Sequence, residues 1–246
     1  MFSYQLYSSR KFPPLGDTLA MLSRAGYTGV EGYGGLYDDV EGLAAALRSS
    51  GLRMPTGHFG LDLLEQDPGR ALGIATALGM ERIYCPYLAP EDRPADAAGW
   101  QALGARLDRA GQPFRKAGLG FGWHNHDFEF VPLPDGTIPQ DAMFAGGPGL
   151  EWEIDVAWVI RGGADPLAWI ARYGSRITAA HVKDIAPAGQ NAAEDGWADV
   201  GHGTVAWPAI MAALRNAGVR HFVIEHDNPA DHHRFATRSL ASVTRL

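Results

Sequence analysis

The chain has 246 residues, of which 46% are hydrophobic and 20% charged, and its formal net charge is −7. These are globular proportions, and the length fits one large domain with a substantial core. The acidic balance argues against nucleic-acid binding, because such proteins usually carry a basic patch. The sequence has no apolar run near the roughly 20 residues that span a bilayer and no signal-peptide pattern, and its one cysteine, Cys85, excludes an internal disulfide. We therefore expect a cytoplasmic protein that binds neither nucleic acid nor membrane.

Glycine residues divide the chain into repeated helix–strand units. Six helical runs end in a glycine that is followed at once by an apolar run, at Gly26, Gly51, Gly79, Gly118, Gly174 and Gly218. Glycine in this position takes the left-handed conformation that ends a helix, and the apolar run after it is typical of a buried strand. The alternation of helices and strands predicts a mainly parallel sheet.

Eight strands are predicted, with helices between them. In chain order they are residues 2–6, 28–31, 52–56, 82–85, 120–123, 150–154, 178–182 and 221–224. Eight strands in alternation favour an α/β protein with a closed (β/α)₈ TIM barrel as a single domain, residues 1–246. An open doubly wound sheet is the alternative, although the dinucleotide-binding glycine motif is missing after the first strand.

Two segments depart from this alternation. Residues 127–149 follow the fifth strand, are rich in proline and glycine and show little helical pattern, and residues 185–205 form a polar loop after the seventh strand. Long loops in a compact domain are usually lids or binding loops. Both segments follow the carboxyl ends of strands, where barrel active sites lie, so we expect both to border a site.

Polar side chains end the last four predicted strands, in the segments WHNH (123–126), EWEID (151–155), AHVKD (180–184) and VIEHD (223–227). A barrel brings these four ends around one axis, which indicates a shared site. Alternate residues of a strand share a face, so one residue of each segment can ligate a metal while its companion two positions away faces a substrate. Histidine, aspartate and glutamate form a mixed ligand set suited to Mn, Co, Fe or Zn.

The segments GWHNHDFEF, EIDVAWVIRGGADP, HVKD, VGHGTVAW and VIEHDNP resemble the sugar phosphate isomerase/epimerase group of xylose isomerase-like TIM barrels. Their order and spacing match over essentially the whole chain. The group includes ketose 3-epimerases, inosose dehydratase, hydroxypyruvate isomerase and endonuclease IV. The resemblance implies one divalent metal ion (Mn, Co, Mg, Fe or Zn), held at the ends of strands five to eight by Glu, Asp, His and Glu. The last three ligands match Asp155, His181 and Glu225, and the first is replaced by His124.

The histidine at position 124 alters the chemistry that the resemblance implies. Epimerases of the group use two metal-bound carboxylates as paired acid and base, and only Glu225 of that pair is present. The His-x-His arrangement is similar to the His-Pro-His of inosose dehydratase. We therefore expect Glu225 to be catalytic, with His126 or Glu153 as its partner in proton transfer.

Four further residues are expected to bind substrate, each with an alternative role. His58 ends the third strand and is either a substrate contact or a loop cap, and His202 is either a lid residue or a solvated histidine. Trp158 is either a platform for a sugar ring or a packing residue. Lys183 is expected to face the substrate, although it can also pair with Glu153 inside the barrel.

The predicted function is that of a metal-dependent isomerase or epimerase of a small sugar or sugar phosphate, acting by proton transfer next to a carbonyl. An inosose dehydratase-like or 3-keto-sugar lyase reaction on the same metal site is the alternative. An abasic-site endonuclease is disfavoured by the acidic charge and by Trp158, which stands where that group usually has a histidine. A non-catalytic binding protein is also considered. The expected partner is a small sugar or polyol, and a homo-oligomer is left open.

Overall fold

The barrel is closed, because the first strand pairs with both the second and the last. The computed structural model describes residues 2–246. Its strands are β1 (Phe2–Gln5), β2 (Gly29–Gly32), β3 (Arg53–His58), β4 (Arg82–Cys85), β5 (Gly120–His124), β6 (Glu151–Asp155), β7 (Ile177–Val182), β8 (Asp184–Ile185), β9 (Trp197–Ala198) and β10 (Phe222–Ile224). All strands except β8 and β9 belong to one parallel barrel in the order β1-β10-β7-β6-β5-β4-β3-β2. The prediction of a (β/α)₈ barrel is confirmed, and the open sheet is excluded.

Helices surround the barrel. They are α1 (Leu15–Ala25), α2 (Val40–Ser50), α3 (Leu61–Gln66), α4 (Pro68–Leu78), α5 (Ala97–Ala110), α6 (Gln112–Lys116), α7 (Pro139–Gly146), α8 (Val156–Arg161), α9 (Pro166–Tyr173), α10 (Trp207–Asn216) and α11 (His232–Val243). The glycines after α1, α2 and α4 adopt the expected left-handed conformation, with φ of 101°, 70° and 71°. Gly174 is different, because α9 runs on into a 3₁₀ turn there instead of ending at a left-handed glycine.

Both long loops are more ordered than predicted. Residues 127–149 contain the helix α7, which packs closely on α5. In residues 185–205 the short strands β8 and β9 pair antiparallel. The buried Asp184 carboxylate accepts backbone hydrogen bonds from Gly201 at 2.8 Å and Val205 at 3.0 Å, which ties the far end of this loop to β8. The prediction of little helix after β5 was therefore wrong.

Alternation along β6 separates the apolar core from the barrel interior. The Trp152 ring packs against Phe144 of α7 at 5.4 Å between centroids and against Trp169 of α9 at 6.3 Å. Glu153 and Asp155 lie on the opposite face of the strand, and both are fully buried. The helices thus cover the apolar face, and the barrel axis holds the polar one. Within residues 2–246, no helix has the length and apolar character needed to cross a membrane.

Candidate metal centre

The four predicted metal ligands meet at the carboxyl ends of adjacent strands. One ligand atom from each of His124, Asp155, His181 and Glu225 lies within 4.8 Å of the other three, and all four residues are buried. Strand register explains the proximity, because Asp155 pairs directly with His181 between β6 and β7. His124 ends the neighbouring strand β5, and Glu225 follows β10 on the other side.

Two polar atoms of this cluster that make no hydrogen bond fit a divalent cation. The Asp155 Oδ2 and His124 Nδ1 atoms are buried without a hydrogen bond, although Lys183 Nζ lies 3.6 Å from the first and Glu153 Oε2 lies 3.2 Å from the second. The other Asp155 oxygen is used, since Oδ1 accepts a hydrogen bond from the Trp158 backbone N–H at 3.0 Å and so caps α8. Buried polar atoms are almost always paired, and a cation would supply the missing partner. The two imidazoles and two carboxylates are a donor set for a first-row transition metal.

Lys183 is fully buried among three carboxylates. Its Nζ atom lies 2.7 Å from Asp227 Oδ2, 3.1 Å from Glu225 Oε2 and 3.6 Å from Asp155 Oδ2. Burial favours the neutral amine, but these carboxylates outweigh it and raise the pKa of Lys183 above its usual value. The ammonium is therefore directed at acidic side chains and not at the cavity described below. Its partner on β6 is Asp155, and not Glu153 as the alternative interpretation of the sequence had it.

A second buried cluster adjoins the first. Glu153 Oε2 is hydrogen-bonded to His58 Nε2 at 2.6 Å, and it lies 3.2 Å from His124 Nδ1 and 3.3 Å from His181 Nε2. One atom from each of these four residues again lies within 4.8 Å of the others, which makes them an alternative ligand set. Burial alone would lower the pKa of His58, but Glu31 and Glu153 raise it to about 9.

Glu31, at the end of β2, is a member of this cluster that the sequence analysis missed. Its Oε1 atom accepts hydrogen bonds from Gln5 Nε2 at 2.7 Å and His181 Nε2 at 2.8 Å, and the residue is fully buried. Although burial favours the neutral acid, His58 and His181 hold the pKa of Glu31 well below its usual range. The single acid within the strand sequence GVEG was the available clue.

His181 and Glu225 each favour the charged form of the other. His181 Nδ1 and Glu225 Oε2 are 2.8 Å apart. Burial opposes charge on both, yet Glu153, Glu225 and Glu31 raise the pKa of His181 well above its usual value. In the same way, Lys183 and His181 outweigh burial and hold the pKa of Glu225 well below its usual range. Glu225 is consequently a carboxylate.

Two members of the candidate ligand cluster, His124 and Glu225, line a cavity of about 670 Å³. Aromatic side chains form much of its wall, namely Tyr7, Tyr33, Tyr87, Phe128 and Trp158. Polar groups from the clusters also reach it, namely His58, His124, His126, Glu225 and Asp227. A volume of this size, with aromatic walls and a few convergent polar groups, is typical of a small-molecule site.

A larger and more open groove of about 890 Å³ lies at the amino ends of β4 to β6. It contains no histidine, and its charges are paired, with Arg82 Nε 3.0 Å from Glu151 Oε2 and Arg115 Nη2 3.0 Å from Asp108 Oδ1. Barrel chemistry takes place at the carboxyl ends of strands. The smaller cavity is therefore the candidate site.

The predicted substrate-facing residues are distributed unevenly around this cavity. His58, His126 and Trp158 line it, whereas Lys183 lies behind the carboxylates. Burial, followed by the charge of Lys183, lowers the pKa of His126 to about 3, so its imidazole is neutral. His202 is exposed, and its Nδ1 atom accepts a hydrogen bond from Arg238 Nη2 at 2.9 Å. The structure does not bring His202 to the site.

Residues 19–243 match the family described as xylose isomerase-like TIM barrel. The chain belongs to this family. No curated protein sequence matches it significantly. The resemblance noted from the strand-end motifs is thus confirmed, and the match covers most of this chain.

Solved structures share this fold at low sequence identity. A sugar phosphate isomerase/epimerase from Parabacteroides distasonis has a TM-score of 0.82 and 21% identity, over 98% of this chain and 92% of its own. The 3-keto-D-glucoside 4-epimerase YcjR from E. coli, in its apo form, has a TM-score of 0.73 and 17% identity, over 100% and 99%. The IOLI protein, solved with a zinc atom, has a TM-score of 0.73 and 14% identity, over 99% and 96%. These likenesses show the same complete barrel.

Proposed function

We propose that this xylose isomerase-like barrel is a divalent-metal-dependent isomerase or epimerase of a small sugar, which moves a proton on the carbon next to a carbonyl. The observation that carries the proposal is a set of four buried ligand-type side chains, two of which, His124 and Glu225, line one aromatic-walled cavity. The similar structures described as a sugar phosphate isomerase/epimerase and a 3-keto-D-glucoside 4-epimerase support the same class of reaction.

His124, Asp155, His181 and Glu225 would hold the metal. The zinc atom in the similar IOLI protein supports a metal in a barrel of this kind. When bound, such a metal supplies Lewis-acid polarisation of a sugar carbonyl and its neighbouring hydroxyl.

Glu225 is the group that takes the proton. It belongs to the ligand set and also lines the cavity. Its contacts with His181 and Lys183 are both made by Oε2, at 2.8 Å and 3.1 Å. Oε1 makes neither contact, so it is the oxygen that receives a proton from the substrate carbon.

His126 is the second group in proton transfer. Its ring lies in the cavity wall 5.3 Å from that of Trp158, and its Nδ1 atom has no hydrogen-bond partner. Glu153 does not line the cavity, and it reaches the substrate region through its hydrogen bond to His58. We therefore assign Glu153 the role of orienting His58, which contacts the sugar directly.

Elimination by a dehydratase or lyase on the same site is the second candidate. His124 stands where the resemblance implies a metal-bound carboxylate, and the His126 ring lies beside it. This pair of imidazoles is the observation that favours elimination. A neutral imidazole beside the cavity can accept the proton from the substrate carbon and then deliver it to the departing hydroxyl oxygen, so elimination does not need two carboxylates.

Reaction in deuterated water separates these candidates and tests the proposal. The manganese-loaded protein is incubated with a panel of ketoses, inososes and 3-keto-sugars. An isomerase or epimerase places deuterium in recovered substrate on the carbon next to the carbonyl, and an eliminating enzyme releases a product that absorbs in the ultraviolet.

A cavity variant links that activity to this site. His126→Ala is expected to lower the rate by about 10²–10⁴-fold, because it removes a proton-transfer group, and to leave the metal content unchanged. Glu65→Gln, a change at a surface carboxylate paired with Arg106 at 2.6 Å, is the control that keeps full activity. If the whole panel shows neither deuterium exchange nor elimination, proton transfer is excluded and the binding-protein alternative is favoured.

A further inference from the structure

The imidazole of His181 lies between the carboxylates of Glu225, which follows β10, and Glu31 of β2. Its Nδ1 atom lies 2.8 Å from Glu225 Oε2, on the side of the four ligands. Its Nε2 atom lies 2.8 Å from Glu31 Oε1. Since β2 and β7 are not neighbours in the barrel, the contact with Glu31 crosses the barrel interior. The ring is therefore fixed at both nitrogens.

Glu31 is itself fixed by residues outside the ligand set. Gln5 is its direct partner in the pairing of β1 with β2, and the Gln5 side chain donates to Glu31 Oε1 at 2.7 Å. His58 Nε2 approaches the same oxygen at 3.1 Å. Glu31 is fully buried, and its Oε2 atom has no hydrogen-bond partner. The Glu31 carboxylate therefore acts on the two imidazoles that it contacts, those of His58 and His181.

We propose that Glu31 is a positioning residue for the metal centre: it binds the His181 Nε2–H and thereby keeps Nδ1 directed at the metal. Gln5 in turn positions Glu31. The inference rests on the proposed function only in taking His181 as a metal ligand. Carboxylates that accept the second N–H of a ligating imidazole fix the tautomer and the orientation of the ring, and they raise its basicity. Neither residue touches the substrate cavity.

Metal titration of the full-length, metal-free protein tests this role. Glu31→Gln keeps the shape of the side chain and an acceptor oxygen but removes the charge. We expect Mn²⁺ and Zn²⁺ to bind this variant about 10–100-fold more weakly by calorimetry, which is the usual cost of losing such a partner. Glu151→Gln is the matched control, because it makes the same change at the other end of the barrel, beside Arg82, and is expected to keep the wild-type Kd.

The melting temperature of the metal-free protein separates positioning from a merely structural role. A positioning residue changes the Kd and leaves this Tm close to that of the wild type. Glu31→Asp, which keeps the charge but withdraws it by one methylene, is the second variant if Glu31→Gln does not fold, and it is also expected to bind metal more weakly.

Three outcomes would overturn the proposal. If either folded variant binds metal with the wild-type Kd, Glu31 does not position the metal centre, but the four-ligand assignment stands. A parallel loss of Tm and affinity would make Glu31 a structural residue. Absence of stoichiometric metal binding in the wild-type protein would overturn the ligand assignment itself, and the role of Glu31 with it, which distinguishes this failure from the first.

Discussion

Glu129 is a buried carboxyl that connects the barrel core to the segment carrying His126. Its Oε1 atom accepts a hydrogen bond from Trp123 Nε1 at 2.8 Å, and its Oε2 atom accepts one from the His126 backbone N–H at 2.9 Å. Burial outweighs these hydrogen bonds and raises the pKa of Glu129 from 4.5 to about 8. Near neutral pH this carboxyl is largely protonated in the folded protein.

This shift predicts a pH-dependent effect of Glu129→Gln. A raised pKa in the folded state stabilises the protein below pH 4.5, and the stabilisation is lost as the pH rises to about 8. The variant has no titrating group at this position. The difference between its free energy of unfolding and that of the wild type should therefore shift in favour of the variant by about 1.4 kcal/mol per pH unit as the pH rises across this window. Urea unfolding of both proteins between pH 5 and 9 measures the difference, and a constant difference would contradict the prediction.

Some of the site residues could be predicted from the sequence and others could not, for a physical reason. His124, Asp155, His181 and Glu225 end consecutive barrel strands, so chain order alone places them side by side. Glu31 meets His181 only because closure of the barrel brings β2 within three strands of β7, and such contacts across the barrel interior leave no periodic pattern in a sequence. The direction of a long side chain is equally unmarked, which explains why Lys183 was expected at the cavity surface.

At the level of elements, the contact of α5 with α7 depends on glycine. A Cβ atom on Gly104 would lie 1.9 Å from the Met143 carbonyl oxygen, and one on Gly146 would lie 1.8 Å from that of Gln101. Neither distance is possible without movement of a helix backbone. Helix α7 can lie this close only because both positions lack a side chain.

Gly104→Ala is therefore expected to destabilise the protein, by about 1–3 kcal/mol if the helices adjust as in other overpacked cores. Gly73→Ala is the matched control, because Gly73 lies in α4 with open space around its Cα. Alanine there should stabilise the protein by roughly 0.5–1 kcal/mol through helix propensity alone. Urea unfolding reports both values, and changes of the same sign in the two variants would refute this account of the α5–α7 contact.

The repeated helix–strand units could be predicted from the sequence, whereas helix α7 could not. Gly26, Gly51 and Gly79 end their helices in the left-handed conformation, so the strands after them could be placed within two residues. Helix α7 begins at Pro139 and follows a stretch rich in proline and glycine, and it packs on α5 instead of leading directly into the next strand. Its formation depends on that tertiary contact, which the local pattern does not encode.

For the whole molecule, a metal at this centre would connect β5, β6, β7 and β10. Ligands from separate strands come together only in the folded barrel, so metal that binds the folded state adds to stability. Saturation at 100 times the Kd corresponds to about 2.7 kcal/mol. We expect the Tm to rise with free Mn²⁺ or Zn²⁺ and to fall with a chelator.

Asp155→Asn should remove this metal dependence, because it takes the charge from one predicted ligand. Differential scanning calorimetry of both proteins, with and without metal, provides the measurement. An equal rise of Tm in the variant and the wild type would place the metal elsewhere.

The loop of residues 185–205 is anchored at two places. Asp184 binds its far end through backbone N–H groups, and Arg234 of α11 holds Asp199 at 3.1 Å. By contrast, Tyr7 and Tyr87 at the cavity are 38% and 47% exposed and belong to the loops after β1 and β4. Changes in the first half of the gene can therefore reshape the mouth of the site while the ligands in the second half stay intact. Such a division would let mutation vary the mouth of the cavity while the candidate ligand cluster is preserved.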